Sequence, residues 1–310
     1  MLARNIDLGG LTMVSWPSLP TRAVVMDLLS RPMRKFPRTP HLEGSRLQVG
    51  DEDSSQIPYR DLVGKFIVVE EKLDGANTGI SYSERWEQLL QSRGHYLVGG
   101  GREKHFNLFK TWADCHNEAI LERLTDRYVM YGEWLGSKHT VFYDHLPHYF
   151  QEFDLYDTHM GAFLDTAART QLLAGSPVQS VPVLYRGVAP AKFTDLMALV
   201  RRSLAKSDQW EASLRQVAER AQTDVARVVR ETEASNFSEG LYIKVEAHGQ
   251  VVARLKWVRA DFLQTLMDGD GHWLSRTVLQ NQLVPGVDIF APRLQVSWAD
   301  LAANQGVVLP

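Results

Sequence analysis

A lysine that closes an apolar run is the first place where this chain could do covalent chemistry. Phe66-Ile67-Val68-Val69 leads through Glu70-Glu71 into Lys72-Leu73-Asp74-Gly75-Ala76-Asn77. The run reads as a strand, and the polar turn after it brings Lys72 to the strand's edge. An amine there attacks phosphorus once it has lost its proton, which nearby cations and partial desolvation favour. Asp74 is spaced to hold a divalent metal or its waters beside a phosphate, and Gly75 lets the backbone turn without a Cβ. The same four residues also suit a surface hairpin with ordinary charges, so partners elsewhere in the chain must decide.

Several stretches offer such partners. Residues 128–131 followed by Gly132-Glu133-Trp134 read as a strand that delivers Glu133 to a sheet end, where it would otherwise be an exposed turn glutamate. In residues 149–157 aromatics and acids alternate, so Phe153 and Asp154 should face opposite sides, and a ring such as Phe153 can stack on a purine or pack in a core. Residues 237–245 and 251–258 flank a turn and read as a β-hairpin. Alternation sets Glu239, Leu241 and Ile243 on one face and Tyr242 and Lys244 on the other, while Arg254 and Lys256 share a face. An acid and three cations on adjacent strands read as a phosphate-binding wall, with an exposed charged sheet face as the alternative. Arg93, in Ser92-Arg93-Gly94, offers a planar fork to a phosphate or carboxylate, or is simply exposed.

The elements that must position these residues follow from the apolar spacing. Leu108, Trp112, Cys115, Ala119 and Ile120 predict a helix over about 107–124, packed on a sheet. Leu196, Val200 and Leu204, then Leu214, Val217, Ala221, Val225 and Val228, predict two or three amphipathic helices inserted in the sheet scaffold at about 190–235, after an entry marked by Pro177, Pro182 and Pro190. Residues 34–42, basic and punctuated by Pro37 and Pro40, should be extended. They read as a solvated connector, with a substrate-facing role suggested by their place ahead of the Lys72 strand. A short helix is expected over 22–29, ended by Pro32. His95, His105 and His116 are not at metal-ligand spacing.

Composition narrows the class. A formal net charge of −3 excludes a global polycation, so any nucleic-acid site must be a local basic surface. Cys115 is the only cysteine, which rules out an intrachain disulfide and a cysteine zinc cluster and suits a reducing cytoplasm. Residues 1–20 lack the apolar core of a signal peptide, and no run is long enough to span a bilayer.

Taken in order, Lys72-Leu73-Asp74-Gly75, Ser92-Arg93-Gly94, Gly132-Glu133, Phe153-Asp154, Glu239-Gly240-Leu241-Tyr242-Ile243-Lys244 and Arg254-Leu255-Lys256 resemble the ordered motifs of the covalent nucleotidyltransferase superfamily of DNA ligases, RNA ligases and messenger-RNA capping enzymes. The chain is most similar to the RNA ligase branch typified by the phage T4 double-strand-sealing enzyme. Asn77 matches an asparagine of that branch, and 54 residues after Lys256 are few for a C-terminal OB-fold. The resemblance implies an α+β, ATP-grasp-like nucleotidyltransferase fold of antiparallel sheets around a nucleotide cleft. It sets an N-terminal extension at 1–30, an adenylyltransferase domain at 31–265 and a small C-terminal tail at 266–310, in which Trp273, Leu274, Val278 and Leu283 would make a cap or helix pair.

The activity it implies is ATP-dependent sealing of RNA with 5′-phosphate and 3′-hydroxyl ends, through AMP bound covalently to Lys72 and with Mg2+ or Mn2+. Asp74, Glu133 and Glu239 would organise the metal's hydration, and Lys244 and Lys256 would neutralise the α-phosphate. Arg93 would contact phosphate or ribose, Phe153 would stack on adenine, and Glu71 would present its backbone to the adenine edge. Asn77, Asp154, Tyr242 and Arg254 would complete the nucleotide site. Arg254 departs from the lysine common at its position, and Tyr242 from an aliphatic residue. The resemblance admits an end-healing kinase or phosphatase as partner and leaves the oligomeric state open. The other readings are a DNA ligase or DNA-repair adenylyltransferase without an OB domain, and an end-binding protein that never consumes ATP.

Overall fold

A computed structural model describes residues 32–47, 55–262 and 278–310. The expected extension at 1–30, the helix at 22–29, and Trp273 and Leu274 lie outside these residues. Among these residues ten strands form one sheet: β1 (Phe66–Lys72), β2 (Ala76–Tyr82), β3 (Gln88–Ser92), β4 (Tyr128–Trp134), β5 (Phe150–Asp157), β6 (Ala162–Leu164), β7 (Gln179–Ser180), β8 (Val183–Val188), β9 (Gly240–Ala247) and β10 (Gln250–Val258). The order is β3-β2-β4-β5-β6-β10-β9-β1-β8, antiparallel throughout except where β7 pairs parallel with β5. The expected antiparallel α+β architecture is thus present, as a single sheet.

That sheet folds back on itself. β5 and β9 are separated by β6 and β10 in the hydrogen-bonding order, yet the Tyr242 hydroxyl on β9 donates to Asp154 on β5 at 3.0 Å. Strands three places apart in a flat sheet would be about 14 Å apart. The bend is possible because β6 has only three residues and joins its neighbours through two residue pairs on each side. Two half-sheets therefore face each other across a cleft.

Each half-sheet buries its other face. Ile67 and Val69 of β1 pack with Leu241, Ile243, Leu255 and Leu184 in one core. Met130, Trp134, Phe150 and Leu155 pack in the other against the helices Asn107–Cys115 and Asn117–Leu124. The sequence predicts one helix there; the chain breaks it at His116, whose backbone (φ −102°, ψ 15°) leaves the helical region. In the 190–235 region stand the helices Phe193–Met197, Trp210–Arg220 and Val225–Arg230. Trp298 and Leu301 of a C-terminal helix, Trp298–Asn304, join the core under β4 and β5, and Leu283 packs against it while Val278 is exposed. No described helix is long and apolar enough to cross a membrane.

The hairpin β9–β10 closes through His248 and Gly249, both at positive φ (55° and 77°), the conformation a two-residue turn needs to match the twist of its strands. At its far end Gly240 packs so tightly that a Cβ would sit 1.9 Å from the Trp257 carbonyl oxygen. Gly240→Ala should destabilise the fold by about 1–3 kcal/mol or more in chemical denaturation. His148 is a second test. Burial pulls its imidazole down to about 4, and its Nδ1 accepts the Phe150 N–H at 2.9 Å. Below its ordinary value of 6.5 the unfolded chain takes up a proton that the fold refuses, so stability should fall as pH drops from 6.5 towards 4. The loss should reach about 3 kcal/mol, and His148→Gln should flatten it in denaturation curves taken across that range.

Candidate active site

The cleft between the half-sheets contains a cavity of about 580 Å3, lined by Lys72, Asp74, Asn77, Arg93, Glu133, Phe153, Glu239, Tyr242 and Lys256 among others. That size suits a nucleotide-sized ligand. The strands explain the convergence. On β1 the residues alternating with Ile67 and Val69 are Val68, Glu70 and Lys72, which pair with Lys244, Tyr242 and Gly240 of β9. On β10, Lys256 pairs with Tyr242 and Arg254 with Lys244. Paired residues share a face, so Glu70, Lys72, Tyr242, Lys244, Arg254 and Lys256 all stand on the cleft side. From the facing half-sheet, Asn77 of β2 pairs with Glu133 of β4.

Lys72 stands at the end of β1 with its side chain 23% exposed, and its ammonium donates to Glu239 at 2.7 Å. Burial pulls its pKa down, but Glu239, Glu133 and Asp74 outweigh burial and hold it above the ordinary lysine value. Glu239 is raised, first by burial. Glu133 is pushed up to about 8 by burial and by Asp74 and Glu239, against the pull of Lys72 and of the Gly75 N–H, which it accepts at 3.0 Å. One oxygen of Asp74 accepts two backbone N–H groups, from Thr140 and Val141, each at 2.7 Å. Among the described residues, no three acidic, histidine or cysteine side chains are spaced to hold a metal directly. The carboxylates nonetheless crowd their own charge, and that excess fits a divalent cation held through its waters by Asp74, Glu133 and Glu239.

Gly75 has a reason other than the turn flexibility expected of it. A Cβ there would lie 2.7 Å from the Trp134 carbonyl oxygen and 2.6 Å from Leu135, so it is close approach to β4 that requires glycine.

Two alternation arguments fail. Phe153 and Asp154 do not face opposite sides: the Phe153 ring lies 6.0 Å from Tyr242, whose hydroxyl bonds Asp154. The cause is a bulge, since Tyr131 pairs with Asp154 and Gly132 with Glu152, leaving Phe153 as the extra residue. Glu239 does not join Leu241 and Ile243 on the core face either, because the strand begins only at Gly240.

Three expected site residues do not line the cavity: Lys244, Arg254 and Asp154. They belong to a buried ion network beneath it. Lys244, 1% exposed, contacts Glu70 at 3.0 Å, Asp154 at 3.3 Å and the Phe153 carbonyl. Arg169 pairs with Glu70, with Glu152 at 3.4 Å and with the Phe153 carbonyl. Arg254 lies 3.8 Å from Asp154 and stacks 3.6 Å over Phe163. Glu71, whose side chain is buried, lines the cavity too, but burial pushes its carboxyl up to about 7 against the opposing pull of Ser203, Leu204 and Arg201. Sequence reasoning missed Glu70, Glu152 and Arg169. The one signal for Glu70 was an acid on the cleft parity of an apolar strand; Arg169, 99 residues away, carried none.

Residues 65–258 match the family model described as RNA ligase. No curated protein matches the chain. Among solved structures, a Naegleria gruberi RNA ligase variant with ATP and Mn is 18% identical, with TM-score 0.44, over 64% of this chain and 51% of that one. The Naegleria gruberi RNA ligase with PPi is 16% identical, with TM-score 0.43, over 74% of this chain and 61% of that one. An archaeal ATP-dependent RNA ligase is 15% identical, with TM-score 0.42, over 73% of this chain and 48% of that one. The chain spans about half the length of the first and third of these.

The network under the cavity makes a direct test. Arg169→Met leaves Glu70 and Glu152 buried with too little positive charge and should cost about 3–5 kcal/mol in chemical denaturation.

Proposed function

This chain belongs to the RNA ligase family, and we propose that it is an ATP-dependent RNA ligase joining 3′-hydroxyl and 5′-phosphate ends. The observation that carries the reading is the lysine at the cavity wall, Lys72, ion-paired to Glu239 and surrounded by carboxylates with an aromatic ring on the opposite wall. A binding module has no use for a nucleophile so placed.

In the first step the deprotonated Lys72 Nζ attacks the α-phosphorus of ATP. A nitrogen–phosphorus bond forms, the bond to the bridging oxygen breaks, and pyrophosphate leaves. An oxygen of the RNA 5′-phosphate then attacks the same phosphorus and releases the lysine amine. Finally the 3′-hydroxyl attacks the activated 5′-phosphate, loses its proton and expels AMP. Such transfers need in-line positioning and charge neutralisation above all. Lys256 and Arg93 line the cavity and supply positive charge, and Phe153 with Tyr242 forms an aromatic wall for the base. Asp74, Glu133 and Glu239 would hold Mg2+ or Mn2+, which when bound would supply charge neutralisation. We assign Lys244 and Arg254 to the floor of the site, since neither reaches the cavity.

The substrate ends imply a kinase or phosphatase that prepares them, and the single cysteine suits a reducing cytoplasm. With α-labelled ATP and magnesium or manganese, the protein should acquire an acid-labile label seen on a denaturing gel. Lys72→Ala should abolish it, by at least about 1,000-fold. Absence of label, together with an intact mass that shows no AMP before or after pyrophosphate treatment, would refute the ligase reading. Nicks with RNA or DNA at the 3′-hydroxyl end would then test the substrate, and equal sealing of both would defeat RNA selectivity.

A further inference from the structure

Residues 34–42 lie outside the span matched to the family, yet they cross the cleft. At one end, the Arg34 carbonyl accepts the Tyr131 hydroxyl of β4 and the Gln91 amide of β3, both at 2.9 Å, and the Arg34 guanidinium sits 4.2 Å over Tyr156 of β5. At the other end, the Pro40 carbonyl accepts the Lys256 N–H of β10, and the Lys256 carbonyl accepts the Leu42 N–H, both at 2.9 Å. The first three strands belong to one half-sheet and β10 to the other. The segment is therefore a strap, pinned on both sides.

Its side chains are sorted. Arg34, Lys35 and Arg38 are exposed, whereas Phe36, Pro37 and Thr39 line the cavity. The Phe36 ring meets Phe153 nearly at right angles (centroids 5.1 Å apart, 79°) and also packs on Tyr131 at 5.0 Å and Phe163 at 5.8 Å. Arg254 fixes this arrangement from behind. Its guanidinium lies 3.6 Å from the centre of Phe163 and 5.4 Å from that of Phe36. A flat, delocalised cation can stack on a ring and still face Asp154; a lysine ammonium makes a poorer version of both contacts.

Resting on the reading that a nucleotide base lies against Phe153, we propose that the strap completes the base pocket, with Phe36 as its edge-on wall and Arg254 as the positioning residue that latches it. The ligand it selects is the purine base of a nucleoside triphosphate. The phosphates are held elsewhere, by Lys72, Arg93 and Lys256, because no charged side chain of the strap lines the cavity.

The test separates base from phosphate. In a Lys72→Ala background, where the covalent step is blocked, calorimetry would measure ATP and inorganic triphosphate binding in the presence of magnesium. Adding Phe36→Ala should raise the Kd for ATP about five-fold or more, the scale of one lost aromatic contact, and leave that for triphosphate unchanged. Phe36→Tyr should restore ATP binding. Arg254→Lys should weaken ATP but not triphosphate, whereas loss of an arginine on the phosphates would weaken both. Unchanged ATP affinity in a Phe36→Ala variant with the parent's thermal midpoint would overturn the inference, as would an equal loss for both ligands. Failure of the Lys72→Ala parent itself to bind ATP would overturn the nucleotide-site reading, and the strap's role with it.

Discussion

The cleft exists because charges are buried in balance. Glu70, Glu152 and Asp154 meet Arg169, Lys244 and Arg254 under the cavity, three acids and three cations drawn from both half-sheets and from the helix Thr166–Leu173. Burying any of these alone would cost several kcal/mol, and mutual attraction repays that only when geometry is good and the remaining polar atoms find partners. The Phe153 carbonyl is one such partner, shared by Arg169 and Lys244. With β6 contributing only three residues of hydrogen-bonded continuity, the network sets how closely β5 and β9 approach. A slip of either strand by one residue would turn its charges to the apolar core, so the ions specify register as much as they stabilise it.

Above this floor the electrostatics change sign of purpose. Asp74, Glu133 and Glu239 crowd around Lys72 with too little positive charge among them; burial first, and then repulsion from Asp74 and Glu239, push Glu133 up to about 8. A proton on Glu133 relieves that excess in the protein alone; a cation would relieve it otherwise. Lys72 is held charged by the same carboxylates. For the proposed attack on phosphorus it would have to leave its pair with Glu239 and lose a proton, which becomes easier as other positive charge engages the acids. The floor is balanced in charge, while the layer above it is not.

How much of this was legible depended on distance along the chain. The Lys72 strand, the Glu133 strand and the β9–β10 hairpin follow from local apolar patterning, and their cleft-facing residues follow from alternation. Alternation failed where the backbone departs from a regular strand. The bulge at Phe153 is set by the pairing of β5 with β4, and the start of β9 at Gly240 by packing under Trp257; neither is encoded in the pattern of the segment itself. The same holds for the ions. Lys244 and Arg254 read as phosphate ligands because cations on a cleft face usually find anions in the ligand, and only the fold shows that Glu70 and Asp154 take them first. At His116, where the helix at 107–124 breaks, the ring Nε2 donates to the Ile289 carbonyl at 2.9 Å, a contact 173 residues distant.

Segment 34–42 is the instructive intermediate case. Its prolines establish that it is extended, and extension alone is compatible with a solvated connector. What converts a connector into part of a site is pinning at both ends, and the pins are backbone groups: the Arg34 and Pro40 carbonyls and the Leu42 N–H. Backbone hydrogen bonds carry no signature in residue type, so a reading of side chains passes over them. The side chains then sort themselves as the cleft requires, since the cations stay in water and Phe36 enters a cluster of rings it could not reach from an untethered chain. The arginine at position 254 follows from the same constraint: once aromatic rings stand behind the strap, a planar cation is the group that can both cover them and remain paired to Asp154.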